Sequence, residues 1–149
     1  MPELPEVETT LRGIEPWLTQ QTIDKLTIRQ ASLRWPVTSG LSNLVEGQTI
    51  LAVRRRAKYL IIQLEHGSML VHLGMSGSLR VVEPETELRK HDHIEMRMRN
   101  GAVLRYHDPR RFGCWLWSEG EHRQLSGLGP EPLSTGFDAE RLYQLSRKR

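Results

Sequence analysis

The stretch from His93 to His107 constrains the fold more than any other part of the sequence. Ile94, Met96 and Met98 alternate with Glu95, Arg97 and Arg99, so an extended chain here has one apolar and one charged face. Asn100-Gly101 follows, the dipeptide that most favours a tight reversal between strands, and Ala102–His107 reads as the return strand. Further short runs share this character: Leu26–Ile28, Ile50–Val53, Tyr59–Leu64, Met69–Leu73, Ser78–Val82 and Cys114–Trp117, with His66-Gly67 as another hairpin turn. Many short strands separated by turns predict a two-sheet β-sandwich or flattened barrel.

The N-terminus follows a different period. Val7, Leu11, Ile14 and Leu18 recur at spacings of four, three and four, which is one face of a helix. Pro5 fits its first turn, where no N–H is required, and Pro16 should end the helix or distort its last turn. The first residues therefore project from a helix N-terminus, beside its partial positive charge. Residues 127–135 form a Gly/Pro loop, and a last helix is expected from near Asp138, with Leu142 and Leu145 on one side, running into Arg147-Lys148-Arg149. The fold class is α+β and mainly β: an N-terminal helix, a two-sheet sandwich and a C-terminal helix.

A chain of 149 residues is long enough for one domain with a real core. No apolar run reaches membrane-spanning length, and the acidic start Met1–Glu8 does not resemble a secretory signal, so a cytoplasmic protein without a membrane partner is expected. The single cysteine, Cys114, allows no internal disulfide and no cysteine-based zinc site in this chain. The net charge of +3 is unevenly spread. Glu3, Glu6, Glu8 and Glu15 face only Arg12 within the first 18 residues, while Arg54-Arg55-Arg56-Ala57-Lys58 and the arginines from Arg97 to Arg111 form basic stretches. Their guanidinium forks suit phosphate, although a solvated face would have the same composition.

Pro2 carries the sharpest chemical possibility. With Met1 removed, its nitrogen is a secondary amine with a pKa of roughly 7.7–8.0, against about 10.4 for lysine. Attack of that amine on C1′ of a deoxyribose gives a cationic iminium, which acidifies the C2′ proton and drives loss of the 3′ phosphate. Glu3 could protonate O4′, and Glu6 could share its helix face and raise a neighbouring carboxyl pKa. Acids in a first helical turn also simply complement the dipole. Lys58 could reach a phosphate or begin a strand in solvent. Asp108-Pro109-Arg110-Arg111-Phe112-Gly113 is a turn in which Arg110 and Phe112 could point the same way, a candidate wedge for a base stack. Met75, between Gly74 and Gly77, could be a third wedge residue; both apolar side chains could equally be core. His91 and His93, with His72 and His107, allow either a metal site or phosphate-contacting and structural histidines.

The motifs are more specific together than singly. Met-Pro-Glu-Leu-Pro-Glu-Val-Glu-Thr, Arg-Arg-Ala-Lys-Tyr-Leu, His-Leu-Gly-Met-Ser-Gly-Ser-Leu, Lys-His-Asp-His, Asp-Pro-Arg-Arg-Phe-Gly and Leu-Gly-Pro-Glu-Pro-Leu occur in that order. Over essentially the whole chain they resemble bacterial formamidopyrimidine-DNA glycosylase. The resemblance implies a catalytic β-sandwich domain over residues 1–134, then a linker or helix over 135–149. It implies a monomeric enzyme that excises oxidised purines from damaged duplex DNA and cleaves the strand through a Schiff base at Pro2. Glu3 would be the general acid and Lys58 the proton donor for β-elimination, with Glu6 as a second acid. His91, Arg110, Met75 and Phe112 would meet DNA, and Arg111 and Arg56 join this expected DNA-binding set. The family continues into a helix–two-turn–helix region and a zinc finger, which would hold the only expected metal. Two alternatives remain: an endonuclease VIII-type enzyme for oxidised pyrimidines, and a non-catalytic DNA-binding module.

Overall fold

The computed structural model describes residues 4–120. The loop at 127–135, the expected C-terminal helix and the domain boundary at 134 lie outside them, as do Pro2 and Glu3. Two four-stranded antiparallel sheets make up the body. One contains β1 (Ile23–Ile28), β5 (Ser78–Val82), β6 (Asp92–Met98) and β7 (Val103–His107) in the order β1-β6-β7-β5. The other contains β2 (Ile50–Arg56), β3 (Tyr59–Leu64), β4 (Ser68–His72) and β8 (Cys114–Ser118) in the order β2-β3-β4-β8. The expected sandwich is therefore present, and the predicted limits of β3 and β5 coincide with those observed.

The core is the shared interior of the two sheets. Ile94, Met96 and Met98, the apolar side of the alternating strand, meet Leu60, Ile62, Leu64, Met69 and Trp115 in one buried cluster. The Asn100-Gly101 reversal forms with a different turn geometry from a two-residue Asn-Gly loop. Gly101 N–H donates to Met98 O at 3.0 Å, and Gly101 has φ 98°. This is a three-residue turn closed by a left-handed glycine.

Helix α1 (Leu4–Leu18) buries Val7, Ile14 and Leu18, with Leu11 partly covered, as its spacing predicts. It packs on β2 and β5, the terminal strands of the two sheets, and so closes one side of the sandwich. Burial of each such side chain stabilises by about 1.5–3 kcal/mol. Pro16 does not stop the helix, which continues two residues to Leu18; left-handed Gln20 (φ 69°) follows it. A short helix, α2 (Leu41–Val45), escapes the sequence patterns because five residues are too few to display a period. It is held by buried Leu41 and Val45 and by Ser42 Oγ donating to Leu26 O at 2.6 Å. Among the described residues no helix is long and apolar enough to cross a membrane.

Strand β2 runs three residues further than its apolar pattern suggests. Arg54, Arg55 and Arg56 stay in register with Ile61, Leu60 and Tyr59. The expected basic cluster is thus partly strand. Arg56, expected among the DNA contacts, is only 3% exposed and its guanidinium does not face solvent.

Candidate nucleic-acid interface

Five segments that carry the predicted residues are joined by a continuous series of contacts. The first link ties α1 to the β2–β3 turn. Arg55 Nε donates to Glu8 Oε1 at 2.9 Å, and Arg55 Nη1 donates to Ala57 O at 3.0 Å. The Arg55 hydrogen bond is the chief reason that the Glu8 carboxyl sits below its ordinary pKa. One guanidinium thereby fixes the helix that follows Pro2 and Glu3 to the turn that presents Lys58. Ala57 occupies this turn at φ 54°, a left-handed conformation that costs a non-glycine residue about 1 kcal/mol. Glu6 is exposed in the first turn of α1.

The next link runs through His72. Its ring stacks obliquely on Tyr59, with centroids 4.9 Å apart, and its Nδ1 accepts the Gly74 N–H at 3.1 Å. Burial, then the charges of Arg34 and Lys58, push the His72 pKa down, so the ring is neutral and can act as that acceptor. Gly74 begins the loop with Met75. A Cβ on Gly74 would lie 2.6 Å from Gly113 N, and Gly74 has φ 67°; both facts demand glycine. The β4–β5 and β7–β8 loops therefore touch backbone to backbone.

Met75 and Phe112 sit at the outer surface of these two loops, 51% and 43% exposed, and are not core residues. The Arg110 guanidinium lies over the Phe112 ring, 5.0 Å from its centroid, a cation–π pair. Arg111 adopts φ 58°, with its N–H donating to Asp108 Oδ1 at 3.1 Å and Nη1 donating to Ser32 O at 3.4 Å. Sequence patterns alone mark Asp108 as no more than a turn residue. It is fully buried beneath this loop, and Ser76, Tyr106 and Gly113 all donate to it.

His91 lies at the far end of the strip. Its ring packs edge-on to His93 and His107, with centroids 5.9 Å away in each case. His93 Nε2 bonds Asp108 O at 2.7 Å, and His107 Nδ1 bonds Asp92 Oδ1 at 2.9 Å. These two partnerships explain the histidines structurally. Among the described residues no group of three or more histidine, cysteine or acidic side chains is arranged to hold a metal. Cys114 is buried, which pushes its thiol up to about 11, and a four-cysteine zinc site cannot be assembled from this chain's one cysteine. Beside His91, a groove of about 420 Å3 is lined by Arg89, Lys90 and Arg111, together with Asp92 and with Arg29, which pairs with Glu95 at 2.7 Å; its balance of charge is positive, a setting for a phosphate.

Desolvation, followed by Lys90, His93 and His107, holds the His91 pKa below its usual 6.5, against the smaller opposing pull of Asp108. His91 is therefore neutral at pH 7.5 and gains its charge only as pH falls below that range. Duplex affinity should accordingly show a steeper salt dependence at pH 5.5 than at pH 7.5, by up to about one phosphate contact. His91→Gln should remove that part of the difference in a fluorescence-anisotropy titration. An unchanged pH effect in the variant would mean that His91 does not meet phosphate.

The fold matches solved DNA-glycosylase structures. Lactococcus lactis formamidopyrimidine-DNA glycosylase, non-covalently bound to DNA containing an AP site, matches with a TM-score of 0.72 and 32% identity, over 78% of this chain and 45% of that one. A complex between the LlFpg protein, a THF-DNA and an inhibitor matches with a TM-score of 0.72 and 33% identity, over 78% of this chain and 43% of that one. Formamidopyrimidine-DNA glycosylase of Marinobacter nauticus is 54% identical across 100% of this chain and 56% of its own length. That of Shewanella amazonensis is 58% identical across 95% of this chain and 53% of its own length. Residues 1–115 match the family described as the formamidopyrimidine-DNA glycosylase N-terminal domain. The chain belongs to this family, and it spans about half the length of the curated relatives it matches.

Proposed function

We propose that this chain is the N-terminal catalytic part of an enzyme that excises oxidised purines, such as 8-oxoguanine and formamidopyrimidines, from duplex DNA and then cleaves the strand at the resulting site. The observation that carries the proposal is the Glu8–Arg55–Ala57 connection, which ties the helix following Pro2-Glu3 to the turn bearing Lys58. The helix that follows the proposed nucleophile and acid is thus held to the turn that carries the proposed proton carrier, beside loops suited to entering a base stack.

Once Met1 is removed, roughly a tenth of the Pro2 amine is neutral at pH 7. It attacks C1′, the damaged base leaves with the glycosidic electron pair, and the proton lost from the Pro2 nitrogen balances the one the departing base takes up. Glu3 protonates O4′ so that the sugar ring opens, leaving an iminium between C1′ and the Pro2 nitrogen. The iminium acidifies the C2′ proton; its removal expels the 3′ phosphate in β-elimination, with Lys58 as the proton carrier. A second elimination releases the 5′ phosphate, and hydrolysis of the iminium restores the amine. Met75, Arg110 and Phe112 fill the gap that the extruded nucleotide leaves, and His91 and Arg111 meet the backbone.

The test uses the full-length protein with Met1 removed. Duplexes carrying 8-oxoguanine or an oxidised pyrimidine are incubated with it in the presence of borohydride. Excision of the purine, with a reduced covalent adduct mapped to Pro2, is the expected result. Preferential excision of the pyrimidine would move the protein to the endonuclease VIII type. DNA binding without excision or adduct would make it a binding module.

A further inference from the structure

Asp108 has no exposed surface, yet it belongs to the segment that carries the exposed Arg110–Phe112 pair. Its carboxylate receives four donors from three parts of the chain. Oδ1 accepts from Ser76 Oγ at 3.0 Å and Arg111 N at 3.1 Å; Oδ2 accepts from Tyr106 OH at 2.7 Å and Gly113 N at 2.9 Å. Ser76 also accepts the Arg110 N–H at 3.3 Å, so its hydroxyl sits between the carboxylate and the backbone of the wedge arginine. Burial, and then Asp108 itself, push the Tyr106 phenol far above its ordinary pKa, which keeps it a donor. The Asp108 backbone adds two more links, its N–H to His91 O at 3.0 Å and its carbonyl to His93 Nε2 at 2.7 Å.

We infer that Asp108 is a positioning residue for lesion recognition: it locks the Met75 loop and the Arg110–Phe112 loop into a single wedge that enters the duplex as one body. Two independently mobile loops would have to be ordered at each encounter, and a wedge misplaced by about 1 Å can cost on the order of 10²-fold in rate. A fully satisfied buried carboxylate fixes the geometry beforehand, and its requirement for four donors leaves little freedom to either loop. The inference rests on the proposed excision activity for its kinetic readout.

Asp108→Asn keeps the shape of the side chain but replaces one acceptor oxygen with a donor that faces existing donors. In the full-length protein it should lower kcat/KM for 8-oxoguanine in intact duplex about 100-fold. The loss should be under about threefold when the lesion lies in an unpaired bubble, where no stack has to be opened. Ser76→Ala and Tyr106→Phe, which each delete one hydroxyl donor, should reproduce the duplex-specific loss at about tenfold and guard against misfolding of the asparagine variant. Met75→Ala and Phe112→Ala should be non-additive in the parent and closer to additive in Ser76→Ala. Equal loss on both substrates, or no loss on either, would overturn the inference. Stack opening is read in parallel from 2-aminopurine placed beside the lesion, which requires binding alone. A parent protein that opens the stack without excision overturns the enzymatic reading while the variants still decide the role of Asp108; a parent that does neither overturns both.

Discussion

The full-length protein with Met1 retained is expected to bind abasic duplex DNA within about threefold of the processed form, because its phosphate contacts are unchanged. It should nevertheless lose covalent adduct formation by at least about 10³-fold. The cause is a single bond. In the Met1–Pro2 peptide the proline nitrogen lone pair is delocalised into the carbonyl, giving the bond its partial double-bond character, and an amide cannot add to C1′. Cleavage of that bond converts it to a secondary amine near pKa 8, the only amine of the chain whose ordinary pKa leaves it substantially neutral at physiological pH. The two forms are separated by mass, incubated with abasic DNA and borohydride, and the trapped fraction of each is measured. Equal trapping would assign the nucleophile to another amine, with Lys58 the next candidate. The rest of the interface is indifferent to the change, so binding serves as the internal control.

Gly113→Ala should have the largest effect on stability. A Cβ at this position would run into the Tyr106 hydroxyl and the His72 carbonyl, with Asp108 Oδ2 at 3.0 Å. Neither the backbone carbonyl, which belongs to β4, nor the phenol, which is held against Asp108, can swing aside as a flexible side chain could. Overpacking of this kind costs about 3 kcal/mol, which corresponds to a fall in Tm of about 10 °C for a domain of this size. Gly13→Ala offers the opposite sign in the same experiment. Gly13 lies within α1, and nothing comes within 4 Å of the place an added methyl would take, so alanine should stabilise by about 0.5–1 kcal/mol. Thermal denaturation followed by circular dichroism compares the two. A Gly113→Ala protein that melts within about 2 °C of the parent would show that Gly113 is not packed against the His72 carbonyl and the Tyr106 hydroxyl.

The parts of the fold legible in the sequence are those where one local period decides the outcome. The α1 face from Val7 to Leu18 and the alternation along β6 are such cases, because each element buries one regular side. Strand β2 reads short in the sequence because Arg54, Arg55 and Arg56 present charge rather than alternation; pairing with β3 carries them into the sheet regardless. Pro16 predicts either an end to α1 or a place in its last turn, and the second holds: there it removes only one N–H, and the helix still gains from burying Leu18.

The candidate site divides the same way. Met75, Arg110 and Phe112 stand out because glycines and a proline flank them, and their exposure accords with loops. Asp108 and Arg55 do not. Asp108 depends on donors from Ser76, Tyr106 and Gly113, and Arg55 depends on Glu8, 47 positions earlier. No local pattern displays the Ser76–Asp108 and Glu8–Arg55 partnerships, made across 32 and 47 positions. Arg56 shows the converse: a residue in a basic run looks like surface until the register turns it inward.

Helix α1 has a consequence for the order in which this protein becomes competent. It precedes every strand of this chain, yet its apolar side has no complete seat until β2 at residues 50–56 and β5 at residues 78–82 have joined their sheets. Docking of this helix therefore depends on residues as far along the chain as β5. Under the proposed mechanism, the Pro2 amine freed by removal of Met1 would be held in place only once the helix that follows it has docked on both sheets.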